Sequence, residues 1–299
     1  MSSKSLHIEK YSGKNIWRAY VYLTKPGIIT GNFITTLGGF LLGAKGAIQI
    51  FPLLGVLTGM TLCIGCACVL NNYIDRDIDT HMQRTKKRTA IIKLIPTRNA
   101  LIYAFFLGIT GVSILFMLTN FLVLLVSMVG FIFYIGIYPY TKRKTIYGTQ
   151  MGAISGAVPL TAGYLAATHR LDLGALLLFL ILVIWQMPHF YAISIFRLKD
   201  YAKAKIPALS VKHGVKTTKI YIVFYIVLLG VLFDSLTFFG ISKLTYLLVM
   251  KACILIWFFT CIQGIWTQDD DKWAHKVFGF SLITLLVFSL MISLDSFLP

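Results

Sequence analysis

Charge is absent over long stretches of this chain. No Asp, Glu, Lys or Arg occurs between Ile28 and Ala44, Gly46 and Ile74, Asn99 and Thr141, Thr145 and His169, or Leu173 and Phe196. A bilayer core takes about 20 apolar residues per helix. Each run is close to that length or longer, and the third, broken at Thr119-Asn120, is long enough for two crossings. Lipid offers no water to the backbone, so a spanning segment must satisfy its own N–H and C=O groups, and helix does this. We read nine spans, at 28–45, 51–70, 98–118, 121–138, 149–167, 173–195, 219–239, 244–265 and 277–296. The expected fold is all-α: a polytopic membrane protein, a bundle of nine transmembrane helices forming one domain over 1–299. Residues 1–22 are its cytoplasmic N-terminal segment.

Composition agrees. Hydrophobic residues make up 57% and charged residues 13%, about half the charged share of a soluble domain. A soluble helical bundle is excluded. Of the 28 Lys and Arg, 24 fall in the N-terminal segment or in and at the edges of the loops after spans 2, 4, 6 and 8. The positive-inside rule therefore places the N-terminus and those loops in the cytoplasm. The net charge of +17 follows from that asymmetry, and no soluble domain is left to carry a nucleic-acid groove. The first 20 residues lack an apolar core and hold one Arg and one Glu, unlike a cleaved signal or a transit peptide. A bacterial inner membrane is the expected location. The five cysteines lie inside spans; Cys63 and Cys66 form a C-x-x-C that we read as small residues packing helices.

Polar chemistry is concentrated at one place. Span 2 runs into "NNYIDRDIDTHMQRTKKR" at 71–88. If the helix continues, Asn71, Asp75 and Asp79 stand at i, i+4 and i+8 on one face, about 6 Å apart along the axis. Asp77 then points away. Stacked carboxylates repel, so something positive must lie against them. A surface loop neutralised by its own bases is one answer. A hard divalent cation such as Mg²⁺, completing its shell with water and substrate phosphate, is the other. Polar residues at the end of a span in an otherwise uncharged chain favour function. Arg84, Lys86, Lys87 and Arg88 follow the acids; Lys142, Arg143 and Lys144 come in the next cytoplasmic loop; Arg197, Lys199, Lys203 and Lys205 surround Asp200. A second charged loop, "FRLKDYAKAKIP", thus follows span 6 on the same side. Asp269–Asp271 reads as a solvated turn, and Lys251 and Asp234 as the charges lying well inside spans.

"NNYIDRDID" resembles the N-x-x-x-D-x-x-x-D signature of the UbiA superfamily of intramembrane prenyltransferases. "LTKPGI" at 23–28, "YTKRKTIYGTQMGAISGAVPLTAGY" at 140–164 and "WQMPHFYAISIFRLKDYAKAKIPAL" at 185–209 resemble the branch that farnesylates protoheme IX, the heme O synthases. The resemblance runs from about residue 20 to the last span. It implies a nine-helix bundle and Mg²⁺ held by Asn71, Asp75 and Asp79 on the diphosphate of farnesyl diphosphate. Lys25, Arg84, Arg88, Lys142 and Arg143 would contact that diphosphate. Asp200 stands where a second acidic motif begins, and Lys199 and Tyr201 flank it at the substrate. Ala204 replaces the second acid of that motif, and "TAIIK" at 89–93 lacks a Pro and a Gly frequent in relatives.

The implied reaction joins the farnesyl group to a vinyl group of heme B, with Mg²⁺ as cofactor and the site on the cytoplasmic side. His189, following Pro188 in span 6, is the residue we expect against heme; a helix-packing histidine is the alternative. Other partners implied are the lipid bilayer and a heme A synthase or terminal oxidase assembly that receives the product. A prenyltransferase of aromatic quinone precursors would keep the diphosphate site and change the acceptor. A transporter would place charges mid-membrane, whereas here they cluster at one surface.

Overall fold

The computed structural model describes residues 16–298 apart from 84, 86–88, 90 and 93. Among the described residues, nine long helices occupy the nine expected spans: α1 (Pro26–Ala44), α2 (Ile50–Ile74), α3 (Thr97–Leu118), α4 (Phe121–Lys144), α5 (Gly148–Thr168), α6 (Leu173–Phe196), α7 (Gly214–Phe238), α8 (Leu244–Ile262) and α9 (Asp270–Leu294). All but α5 are long and apolar enough, by length and composition, to cross a membrane. No residue of α5 is exposed, and Ala153, Ala157, Leu160, Ala162, Leu165 and Ala166 are fully buried. A helix surrounded by helices does not need the Leu and Phe that solvate a lipid-facing one. It needs small side chains, so that neighbouring backbones can approach. A Cβ added to Gly39 of α1 would sit 2.1 Å from the Leu160 carbonyl oxygen, and one added to Gly163 would sit 2.0 Å from that of Thr36. The α1–α5 crossing is therefore glycine on backbone from both sides.

Exposed residues are what a bilayer would cover. On α3, Phe105, Phe106, Ile109, Phe116 and Met117 all face outward. Cys63 and Cys66 are free thiols that pack against Gly111 and Gly108 of α3, as expected for small residues between helices. Asp234 of α7 and Lys251 of α8 pair at 2.6 Å, so these two intramembrane charges neutralise each other.

Three features add to or correct the sequence reading. The N-terminal segment is partly helical: Ile16–Leu23 packs Ala19 and Leu23 against Cys66, Val69, Ala100 and Ala104. α9 begins at Asp270, well before residue 277. Asp269 caps it by accepting from the Lys272 amide, and Asp270 and Asp271 lie in the first turn, where negative charge suits the helix dipole. The acid triplet is a helix start rather than a turn, and Asp270 also pairs with Lys219. Finally, α4 contains a π-helical segment at Phe133–Ile137, a device that re-aims side chains and recurs at functional sites.

Candidate active site

α2 ends at Ile74 because Asp75 leaves helical geometry, at φ −92° and ψ 6°. The helical bonding pattern nevertheless continues. The Asp75 amide bonds the Asn71 carbonyl at 3.0 Å, and the Asp79 amide that of Asp75 at 2.9 Å. The short helix Arg76–Asp79 thereby keeps the row in register. Asn71, Asp75 and Asp79 are all buried, with Asn71 Nδ2 donating to Asp75 Oδ2 at 3.1 Å. Asp77 faces outward, its side chain 60% exposed, as the spacing requires.

Two lysines lie on that row. Lys25 Nζ donates to Asn71 Oδ1 at 2.7 Å. Lys25 adopts a left-handed backbone, φ 56°, immediately before Pro26. A non-glycine residue there costs about 1 kcal/mol or more and persists only where its surroundings impose it. Part of that constraint is Asn72, whose Nδ2 donates to the Leu23 carbonyl at 2.8 Å. Lys142, from the end of α4, donates to Asp75 Oδ2 at 2.9 Å. Arg143 is committed elsewhere. Its guanidinium forks onto Asp77 at 2.6 and 2.8 Å and bonds the Ile74 carbonyl at 2.7 Å, while standing 3.6 Å from Asp75 Oδ1. The Arg143 hydrogen bonds pull the Asp77 carboxyl down to about 2.

Two residues escaped the sequence reading. Tyr134 and Tyr138 stack, centroids 5.9 Å apart and 13° from parallel. Lys25 Nζ is 3.5 Å from the Tyr134 hydroxyl, and Lys142 Nζ lies 5.6 Å from the Tyr138 ring centre, within cation–π range. The available signal was their spacing: 134, 138 and 142 fall at i, i+4 and i+8 of one helix.

The second charged loop docks onto the first. Ile78 and Met82 form an apolar cluster with Ile206, and Tyr201 and Ala204 pack against it. Ala204, where the family pattern has an acid, contributes to this clamp instead. Asp200 sits in the first turn of the short helix Leu198–Lys203 and is buried. Lys199 is exposed and Tyr201 half-buried. Arg84 and Arg88 lie outside the described residues.

Buried carboxylate oxygens without a hydrogen-bond donor are costly, and among the described residues there are two: Asp75 Oδ1, with only the Arg143 guanidinium at 3.6 Å, and Asp200 Oδ2. Among the described residues, no three His, Cys, Asp or Glu side chains converge as a finished metal cage. The donor set, amide and carboxylate oxygens, fits a small hard cation that keeps waters and takes further oxygens from its substrate.

An apolar cavity of about 480 Å³ lies between α2, α3 and α4. Among its lining residues are Cys66, Leu70, Ala104, Val112, Ser127 and Phe131. Leu70 adjoins Asn71 in the chain, and Phe131 is within one turn of Tyr134. On α6, two turns before its end, His189 stacks on Trp185 at 4.9 Å and its Nδ1 lies 2.7 Å from Ser281 Oγ of α9.

A bundle of membrane-crossing helices with an amide-and-carboxylate row, two lysines over it and an apolar cavity nearby is the build of an intramembrane enzyme whose site can take an amphiphile with an anionic head. Residues 32–285 match the UbiA prenyltransferase family, and the chain belongs to it. It is 45% identical over 284 residues to the protoheme IX farnesyltransferase of Sodalis glossinidius, covering 94% of this chain and 96% of that one. It is 47% identical over 277 residues to the protein of the same name in Acinetobacter baumannii strain ATCC 17978, covering 92% and 95%. Among solved structures, the fold is similar to a digeranylgeranylglyceryl phosphate synthase (TM-score 0.78, 19% identity, 94% and 98% covered). It is also similar to a UbiA homolog from Archaeoglobus fulgidus bound to GPP and Mg²⁺ (TM-score 0.69, 12% identity, 92% and 99% covered).

Proposed function

We propose that this chain transfers the farnesyl group of farnesyl diphosphate to a vinyl group of protoheme IX, giving heme O and diphosphate, at the cytoplasmic side of a bacterial inner membrane. The observation that carries the acceptor is the identity of 45–47% over more than nine-tenths of the chain to proteins named protoheme IX farnesyltransferase. What supports the donor is the site itself: buried acids, amide and lysines at a membrane surface beside an apolar cavity.

In this reading Asn71, Asp75 and Asp79, with Asp200 from the facing loop, hold Mg²⁺. The bound ion supplies positive charge to the diphosphate as it leaves. Lys25 and Lys142 share that task, turning from the row to the phosphate oxygens, with Lys199 and Tyr201 at the rim. Arg84 and Arg88 are assigned to the same anion by their place in the motif; Arg143, forked onto Asp77, would reach it only by leaving that carboxylate. The cavity between α2, α3 and α4 takes the farnesyl chain. Its volume falls within the range of about 300–1,000 Å³ usual for ligand pockets.

The C1–O bond of farnesyl diphosphate breaks, and its electron pair leaves with the diphosphate. The vinyl π electrons of heme form the new C–C bond to C1. Water adds to the resulting carbocation and loses a proton, leaving a hydroxyl. No protein nucleophile is required. Charge stabilisation aimed at the leaving group is the main catalytic contribution such a site makes. His189 contacts heme, which is a substrate here. Heme O carries a long apolar tail and stays in the bilayer, where a heme A synthase or an assembling terminal oxidase takes it up.

The test is product analysis. Hemes extracted from membranes overproducing the chain should contain heme O. Its absence, with a prenylated aromatic acid formed instead, would overturn the acceptor assignment.

A further inference from the structure

Ser281 carries information about His189 that neither residue carries alone. Its hydroxyl is fully buried and makes two short contacts: 2.6 Å to the Phe278 carbonyl oxygen and 2.7 Å to His189 Nδ1. A hydroxyl has one proton and two lone pairs. The Phe278 carbonyl can only accept, so the Ser281 proton points to it. The contact with His189 is then a hydrogen bond only if Nδ1 is the donor. The opposite arrangement would set the serine lone pairs against the Phe278 carbonyl at 2.6 Å with no proton between them. His189 is thus held in the tautomer with the proton on Nδ1. Its Nε2 carries a free lone pair.

The ring is also fixed in orientation. Trp185 stacks on it at 4.9 Å and 25°, Phe278 lies against it at 4.9 Å and 37°, and Phe190 meets it edge-on at 5.0 Å. Trp185 is itself anchored, its Nε1 donating to the Ser281 carbonyl at 2.9 Å. Among the described residues nothing hydrogen-bonds Nε2, and it is not a sealed, unpartnered atom. An imidazole packed on its sides, bonded through Nδ1 and open at Nε2 is prepared as a metal ligand. The partner on the far nitrogen fixes the tautomer and raises the basicity of the ligating one.

We propose that Ser281 is a positioning residue for the heme substrate: by accepting the Nδ1 proton it holds His189 so that Nε2 coordinates the heme iron. This rests on the reading that His189 contacts heme. It adds which nitrogen binds, that it binds the iron, and what enforces it. Ligation through α6 would hold the porphyrin while its vinyl group is presented to the farnesyl cation.

The test uses the full chain in detergent, titrated with hemin and followed by absorption and by resonance Raman of the reduced complex. Ser281→Ala removes the hydroxyl but keeps the carbonyl that anchors Trp185. It should weaken heme binding about 10–100-fold and lower the iron–histidine stretching frequency. Ser281→Thr should restore both. His189→Ala should abolish the histidine-ligated spectrum. If His189→Ala leaves the heme spectrum unchanged, the contact between His189 and heme is wrong. If His189→Ala abolishes ligation while Ser281→Ala matches the native spectrum and affinity, that contact stands and the role of Ser281 is refuted.

Discussion

Lys142 Nζ rests 2.9 Å from Asp75 Oδ2, with the two side chains 15% and 4% exposed. The carboxylate proposed to hold metal is therefore neutralised by a lysine from another helix. A metal ion and Lys142 would compete for that oxygen. A metal-bound diphosphate resolves the competition by offering the lysine an anion of its own. In the proposed reading, acid and base are adjacent because each would cover the other until substrate arrives.

Removing one partner of a buried pair leaves an uncompensated charge, at about 3–5 kcal/mol. Lys142→Met should lower the stability of the detergent-solubilised protein by that order. Lys142→Met combined with Asp75→Asn should be more stable than Lys142→Met alone. Thermal unfolding of the wild type, both single variants and the double variant measures the coupling; strictly additive effects would argue that the pair is not coupled.

Asp75→Ala and Asp79→Ala should each cut heme O formation about 100-fold or more, the scale of losing a transition-state charge contact. Chelation with EDTA should stop turnover and added Mg²⁺ should restore it. Unchanged product formation in both variants would place the chemistry elsewhere.

Asp77 should behave differently from its neighbours. It faces out and binds Arg143, so Asp77→Asn should leave turnover within a few-fold of wild type. Its depressed carboxyl sets the sign of the pH effect. The ion pair contributes fully above the unfolded aspartate value of about 3.9 and is lost as pH falls toward about 2. Carbon NMR of labelled aspartate should find this titration, and Arg143→Gln should move it back up; an Asp77 titrating normally in the wild type contradicts the fork.

The apolar cavity predicts a change of chain length. Val112 lines it on α3, outside the polar row. Val112→Trp should reduce kcat/KM for farnesyl diphosphate more than for geranyl diphosphate. Equal losses for both donors would mean the chain lies elsewhere.

The α1–α5 crossing leaves no room for a side chain. Gly163→Leu should prevent assembly of a folded, monodisperse protein, because the obstacle is the Thr36 backbone rather than a side chain that could turn aside. Gly27, with open space around the position of its missing Cβ, should accept alanine, as read by size-exclusion chromatography.

The sequence by itself determined what depends on local chemistry. Uncharged runs locate helices because lipid excludes charge. The row Asn71, Asp75 and Asp79 is legible because helical spacing is a local property, and so is the outward turn of Asp77. Only the tertiary structure decided which partners meet across the chain. Lys25 reaches Asn71 over 46 residues, Lys142 reaches Asp75 over 67, and His189 reaches Ser281 over 92. It also assigned Arg143 to Asp77, aimed Tyr134 and Tyr138 at the lysines through a π-helical segment, and turned Ala204 from a missing acid into part of the clamp between two loops. Such pairings follow from how helices cross, and crossings are set by packing between distant small residues such as Gly39 and Gly163. A single sequence lists those glycines without saying which helix each one admits.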